Sequence, residues 1–269
     1  MLAQRLIVAI FILPVLVLLA YTGGWILSIS IAATLGFAAW EYYKLFSSGG
    51  FQPVLFILVA GTVILVLARH AFAFQSSDLY ISLVLMTAMA WQVIRFERGI
   101  STSAVDFGIT LGGLLYLGWL GSYIISLRDL PDGLWWSLVV IPTISISDAG
   151  AYFIGSHFGK HKISQRISPN KSWEGYFGGI VTGTLGAVAL AALWHLRAPI
   201  ITIEKGLILG LAITIFSPLG DLGESMLKRS FGVKDSSRLL PGHGGIMDRI
   251  DSWLWAAPIG YYVITLLLS

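Results

Sequence analysis

The sequence predicts an all-α, polytopic transmembrane helical bundle of about nine spans with a cytoplasmic N-terminus. Three observations carry that expectation. Only 12% of the 269 residues are charged while 56% are apolar, and the mean hydropathy is +0.82. Soluble domains carry about 25% charged residues, so too little polar surface is left here to cover a water-exposed globule. The apolar residues fall in stretches near the roughly 20 residues a spanning helix needs. The Lys and Arg residues divide unequally between alternate loops.

Taken in order, the apolar stretches run approximately over 4–21, 25–43, 52–69, 79–96, 107–126, 134–155, 177–196, 205–227 and 252–268. The first follows one cation, Arg5, and leads into Thr22, Gly23 and Gly24 without a small-residue cleavage pattern. It therefore reads as a span and not as a removed leader. Backbone polar groups in lipid must bond internally, which makes helices the default, and the alternation of a membrane barrel is absent. Gly175, Gly179 and Gly183 recur every four residues, as do Gly108 and Gly112, and Gly206 and Gly210. That spacing predicts close helix–helix packing and permits a homodimer.

With the N-terminus and every loop after an even-numbered helix placed on one side, thirteen of the seventeen Lys and Arg residues collect there. The other side keeps Arg69, Arg128, Arg197 and Lys205. The positive-inside rule then makes the crowded side cytoplasmic. A net charge of +3 is too small to suggest a nucleic-acid partner, and the absence of cysteine excludes disulfides and Cys-ligated metals. The chain reads as one integral membrane domain. Residues 1–140 form variable N-terminal spans, and residues 141–255 form a catalytic core with cytoplasmic loops at 156–176 and 228–251.

Two segments are polar out of proportion to the rest. The first contains Asp148 and Tyr152, then Lys160, His161 and Lys162, then Ser168, Lys171, Ser172 and Glu174. Asp148 falls inside a predicted span, where a charge costs roughly 2.5–3.5 kcal/mol on insertion scales and is functional by default. The second runs from Ser217 to Asp251. Asp221, Glu224, Ser225 and Lys228 would share one face of a helix, with Pro218 as a kink or a new start. Asp248 and Asp251, three apart, would share another. Carboxylates from two helices suit a hard divalent cation, which fills its shell with water and phosphate oxygens. Ion pairs of Asp221 with Lys228 or Arg229, and of Asp248 with Arg249, are the structural alternative. Gly244 and Gly245 lie in a tight loop beside His243, where backbone N–H groups can approach an anion. No GxxxxGK[ST] and no GxSxG is present, which argues against a P-loop and a covalent hydrolase.

The second segment then resembles a known signature. Ser225, Leu227, Lys228, Arg229, Lys234, Asp235, Ser237, Leu240, Pro241, His243, Gly244, Gly245, Ile246, Asp248, Arg249, Ile250 and Asp251 stand as they do in the phosphatidate cytidylyltransferases, or CDP-diacylglycerol synthases. Upstream, Ser147, Asp148, Gly150, Ala151 and Tyr152, Gly159 through Lys162, and Ser168, Pro169, Lys171, Ser172, Glu174 and Gly175 resemble the same family. The likeness is strong over 145–255, whereas residues 1–140 match in hydrophobicity alone.

The resemblance implies transfer of a cytidylyl group from CTP to phosphatidic acid, giving CDP-diacylglycerol and pyrophosphate. It implies Mg²⁺ held by Asp221, Asp248 and Asp251, with Lys228 and Arg229 on phosphate oxygens. Asp148, Lys171, Lys234, His243, Gly244 and Gly245 are then expected to support substrate binding. The site would face the cytoplasm of a bacterial inner membrane, with the bilayer delivering the lipid. A CTP-dependent polyprenol or phytol kinase is the nearest alternative enzyme. A secondary transporter is the alternative of another class, disfavoured because the polar groups crowd two loops on one side. A CDP-alcohol phosphatidyltransferase is disfavoured because its own aspartate signature is absent.

Overall fold

The computed structural model describes residues 14–75, 77–237, 239 and 244–268. Helices dominate, and seven helical stretches among the described residues are long and apolar enough to cross a membrane, two of them, Ser103–Arg128 and Ile203–Ser230, being composed of shorter helices end to end. The expected first stretch lies mostly outside the described residues, although 14–22 are helical. The expected last stretch is helical from Trp253, but its 11 residues and the π-helical turn after them are too short to join the seven.

The chain divides into two compact units. One comprises Met1–Ser126 with Ser230–Ile250, and the other comprises Leu127–Arg229 with Asp251–Ser269.

In the first unit, α1 (Gly24–Ser48) and α2 (Leu55–Phe72) form a hairpin, with Gly36 of α1 lying against Val63. Hydroxyls of Ser28, Ser30 and Thr34 donate to carbonyls four residues back, so α1 leaves them no unmet demand in lipid. Then come α3 (Ser77–Glu97) and α4 (Ser103–Gly113). A π-helical turn at Leu114–Trp119 joins α4 to α5 (Leu120–Arg128). Leu114 and Leu117 of that turn are buried, and Leu114 meets Gly61 of α2. Tyr42 and Leu58 close over Gly113, where a Cβ would come within 2.6 Å of the Tyr42 ring. Buried Asp106 accepts from the Gln52 N–H at 2.7 Å and the Thr102 hydroxyl at 2.8 Å, and lies 3.6 Å from Arg95. The guanidinium of Arg69 stacks over Phe74 and Trp119, 3.6 and 4.5 Å from their ring centroids.

In the second unit, α6 (Gly133–Phe158), α7 (Trp173–His195) and α8 (Ile203–Phe216) pack side by side. Their core includes Trp136, Val139, Val140, Ile144, Ala187, Ala191, Leu209 and Ile213. The glycine ladder of α7 works as its spacing predicts. A Cβ on Gly175 would meet the Ala151 carbonyl at 2.7 Å, and one on Gly183 would meet Ser147 Cβ at 2.7 Å. Gly206 and Gly210 do the same for α8 against Ala191 and Ala187. Gly108 differs, because nothing lies within 4 Å of the place its Cβ would take.

The all-α expectation needs one addition. Lys162–Ser164 (β1) and Ser168–Ser172 (β2) form an antiparallel hairpin between α6 and α7, with Lys162 opposite Ser172. Ser172 then caps α7, its hydroxyl accepting from Gly175 N–H at 3.2 Å. Pro218 interrupts the bonding of one long apolar stretch, Ile203–Ser230: α8 stops at Phe216, Ser217 keeps helical backbone angles, and α9 (Pro218–Ser230) begins at the proline. The break frees helix-end carbonyls, and the Tyr176 hydroxyl donates to that of Ile215 at 2.8 Å. A single turn, α10 (Met247–Ile250), closes the first unit's C-terminal segment. In the second unit α11 (Trp253–Val263) follows Asp251.

Candidate active site

The polar site of the second unit is built at the break between α8 and α9. Pro218 turns the chain, Gly220 lets it pass close to the strand of backbone at Asp251, and Asp221 follows in the first turn of α9. A Cβ on Gly220 would stand 2.5 Å from the Asp251 carbonyl and 2.6 Å from the Trp255 ring, so no larger residue permits this approach. Asp221 accepts from the Ser225 hydroxyl at 3.2 Å and pairs with the Lys171 ammonium, which β2 presents. The ion-pair alternatives considered for Asp221, Lys228 and Arg229, are thus replaced by a lysine fifty positions away. Lys228 instead pairs with Glu224 one turn back, both almost wholly enclosed.

Asp148 on α6 lies within electrostatic reach of Asp221 and Lys171. Asp251 takes the Ser252 N–H at 2.6 Å. Burial pushes its carboxyl up to about 7, and the charges of Asp221 and Asp148 push the same way. Ser252 and Lys228 pull against them. Three carboxylates and two lysines therefore act on one another here. Crowded carboxylates in a poorly hydrated place require positive charge to stay ionised. The donors are all carboxylate oxygens, which fits a hard divalent ion such as Mg²⁺. Among the described residues, no three His, Asp or Glu side chains close onto a single ion position.

Arg229 is exposed at the end of α9, its Nε donating to the Ile167 carbonyl of the hairpin at 3.3 Å. The neck of that hairpin is clasped by Glu174, which accepts from the N–H of Lys160 at 3.1 Å and meets His161 Nδ1 at 2.6 Å. Beside it lies an open cleft of about 710 Å³ lined by Lys160, His161, Lys162, Gln165, Trp173, Glu174 and Phe177. Cations and aromatic rings share its wall.

Asp248, Gly244 and Gly245 belong to the first unit. Asp248 does not pair with Arg249 in any described salt bridge. Its Oδ2 accepts from the N–H of Ser236 at 3.0 Å, the Ser236 hydroxyl at 3.0 Å and the Gly245 N–H at 2.7 Å. Gly244 has φ 81°, a left-handed conformation that suits glycine. Lys234 is exposed in the turn after α9. His243 lies outside the described residues. The expected shared helical face of Asp248 and Asp251 is not present, because α10 ends at Ile250.

Sequence reasoning missed Glu41. This residue of α1 is wholly buried and accepts from the N–H groups of Ile246 at 3.0 Å and Met247 at 2.8 Å. It also accepts from the hydroxyls of Ser236, at 3.2 Å, and Ser237. The signal was available: Glu41 falls inside the predicted span 25–43, so the argument applied to Asp148 applies to it equally. Gly220 was missed because nothing in its spacing distinguishes it from the packing glycines.

The sequence model of the Cytidylyltransferase family matches residues 3–267. The chain belongs to that family. Phosphatidate cytidylyltransferase of Synechocystis is 33% identical over 98% of this chain and 97% of its own length. The protein of that name from Pseudomonas aeruginosa is 36% identical over 96% of the chain and 95% of its own. The one from Bacillus subtilis is 42% identical over 59% of the chain and 58% of its own. The family match thus runs through the N-terminal spans as well as the segment that carries the signature.

Proposed function

We propose that this membrane protein transfers the cytidylyl group of CTP to phosphatidic acid, releasing pyrophosphate and forming CDP-diacylglycerol. The observation that carries the reading is the meeting of Asp148, Asp221 and Asp251 with Lys171 and Lys228 at a helix break between apolar segments. The full-length likeness to phosphatidate cytidylyltransferases supports it.

The attacking group in this reaction is a phosphate monoester, whose second pKa is about 6, so it is already largely ionised at neutral pH. It needs no protein nucleophile and no strong base. It needs its own charge and that of CTP to be tolerated together in line. Mg²⁺, when bound, would supply charge to the α-phosphate and the leaving pyrophosphate. Asp221 and Asp251 would hold it in the second unit, and Asp248 is the ligand that the signature assigns in the first. Lys171 and Lys228 offset the negative charge of the carboxylates and stand ready for phosphate oxygens once a cation takes over that task. Arg229, Lys234, His243, Gly244 and Gly245 are assigned to substrate phosphates. A lipid kinase would act on an alcohol and require a general base. The lysine pairing of Asp221 does not favour that role.

We further propose nine spans, a cytoplasmic N-terminus and a site open to the cytoplasmic face of a bacterial inner membrane.

The deciding experiment is incubation of purified protein with CTP, phosphatidic acid and Mg²⁺. CDP-diacylglycerol and pyrophosphate should appear in equal amounts, and chelation with EDTA should stop both. Failure to form CDP-diacylglycerol beside an active control enzyme rejects the reading, and turnover unaffected by EDTA rejects the metal.

A further inference from the structure

Among the described residues, the carboxylate of Glu41 gathers donors from one distant segment of the first unit. It is wholly buried on a helix of 25 residues, and the four described donors that meet it come from the segment between Ser236 and Met247. A buried anion is costly unless its lone pairs are used, so the segment and the carboxylate depend on each other. The fit is tight: a Cβ on Gly245 would fall 2.7 Å from both Glu41 oxygens and 2.0 Å from the Ser236 hydroxyl. Position 245 therefore tolerates glycine alone while Glu41 is seated.

Ser236 links this anchor to the signature aspartate. Its hydroxyl lies 3.2 Å from Glu41 Oε2 and 3.0 Å from Asp248 Oδ2. One hydroxyl proton serves one carboxylate at a time. The Ser236 and Gly245 N–H groups hold Asp248 Oδ2 whichever it serves. The two N–H groups given to Glu41 belong to Ile246 and Met247, the residues immediately before Asp248. Glu41 thus sets the backbone on which Asp248 stands and the hydroxyl that touches it.

We propose that Glu41 is a positioning residue: it acts through Ser236 and the 246–247 backbone to aim Asp248 at the metal ion. This rests on the reading of Asp248 as a metal ligand. Second-sphere partners of ligating carboxylates typically change metal affinity or activity by about 10- to 100-fold when removed.

The test uses the full chain in lipid nanodiscs with Glu41→Gln, Glu41→Ala and Ser236→Ala. Amide hydrogen exchange across 244–250 is measured without substrate. Turnover is measured against Mg²⁺ concentration. The Glu41 variants should exchange faster at Ile246 and Met247, and should need about 10- to 100-fold more Mg²⁺ for half-maximal rate. Ser236→Ala should shift the Mg²⁺ requirement the same way and add little on top of Glu41→Ala, because both cut one path. A purely structural anchor would lower the melting temperature and the folded yield but leave the Mg²⁺ requirement of the folded fraction unchanged. That result, or unchanged exchange at 246–247, overturns the proposal. If Glu41→Ala does not fold, Ser236→Ala, which leaves the buried anion three of its donors, decides alone. A wild-type enzyme indifferent to Mg²⁺ would instead sink the metal reading, a result distinct from either of these.

Discussion

Asp221 and Asp251 reach the same small region from opposite directions in the sequence, one from the start of α9 and one from the turn before α11. Their mutual repulsion persists because Lys171 and Lys228 stand beside them. Replacing either aspartate by asparagine removes one repelling charge while keeping shape, so folding should survive or improve. Activity should not survive, because an amide oxygen is a poor substitute for a carboxylate on a divalent ion. We expect Asp221→Asn and Asp251→Asn each to lower turnover by at least about 100-fold, in line with the loss of a group that stabilises transition-state charge. Melting temperatures should stay near wild type. A variant with near-normal turnover would strike its residue from the metal site. The aspartates were legible from their types and spacing. Their partners were not. Lys171 lies on a hairpin strand whose five residues carry no periodicity to read, and pairing across fifty positions leaves no local trace. Glu41 was legible by the rule that an acid within a span is functional, yet its purpose required seeing the four donors gathered on it.

Equal glycine spacing conceals unequal roles at the level of the helices. Gly183 on α7 faces Ser147 of α6 and Thr214 of α8, with a Cβ position only 2.5 Å from the Thr214 methyl. Gly108 on α4 faces open space. Gly183→Ala should therefore separate packed helices and cost about 1–3 kcal/mol, as overpacking does. Gly108→Ala should be neutral or stabilising by about 0.5–1 kcal/mol, because a helical glycine gives up more backbone freedom on folding. Thermal unfolding of both variants in the same detergent checks the pair. Equal effects would contradict the packing assigned to α7. Helix lengths were legible from apolar run length, since lipid leaves the backbone little alternative. The Pro218 break was half legible: proline forbids continuity of bonding but does not say whether the chain bends or restarts. The β1–β2 hairpin was not, because its strands are too short and too polar to show alternation.

For the whole molecule, orientation follows from where the cations fall. The proposed topology puts a reporter fused after residue 240 in the cytoplasm and one fused after residue 197 on the opposite face. The reverse pattern would turn the molecule over and move CTP binding to the wrong compartment. The break at Ser217 bears on the same picture. The 14 residues of α8 rise about 21 Å at 1.5 Å each, while a bilayer core is about 30 Å thick. An upright α8 that starts at one face ends roughly 9 Å short of the other, and α9 carries the rest of the stretch to Ser230. Asp221 lies within the first turn of α9, so in the proposed topology the acidic site would lie beneath the headgroup plane and not upon it. Lipid phosphate is abundant just above that depth and bulk water is scarce within it. At that depth a cytidylyl group would meet a lipid acceptor before a solvent molecule, and the early break of one helix would become a bias toward transfer over wasteful hydrolysis.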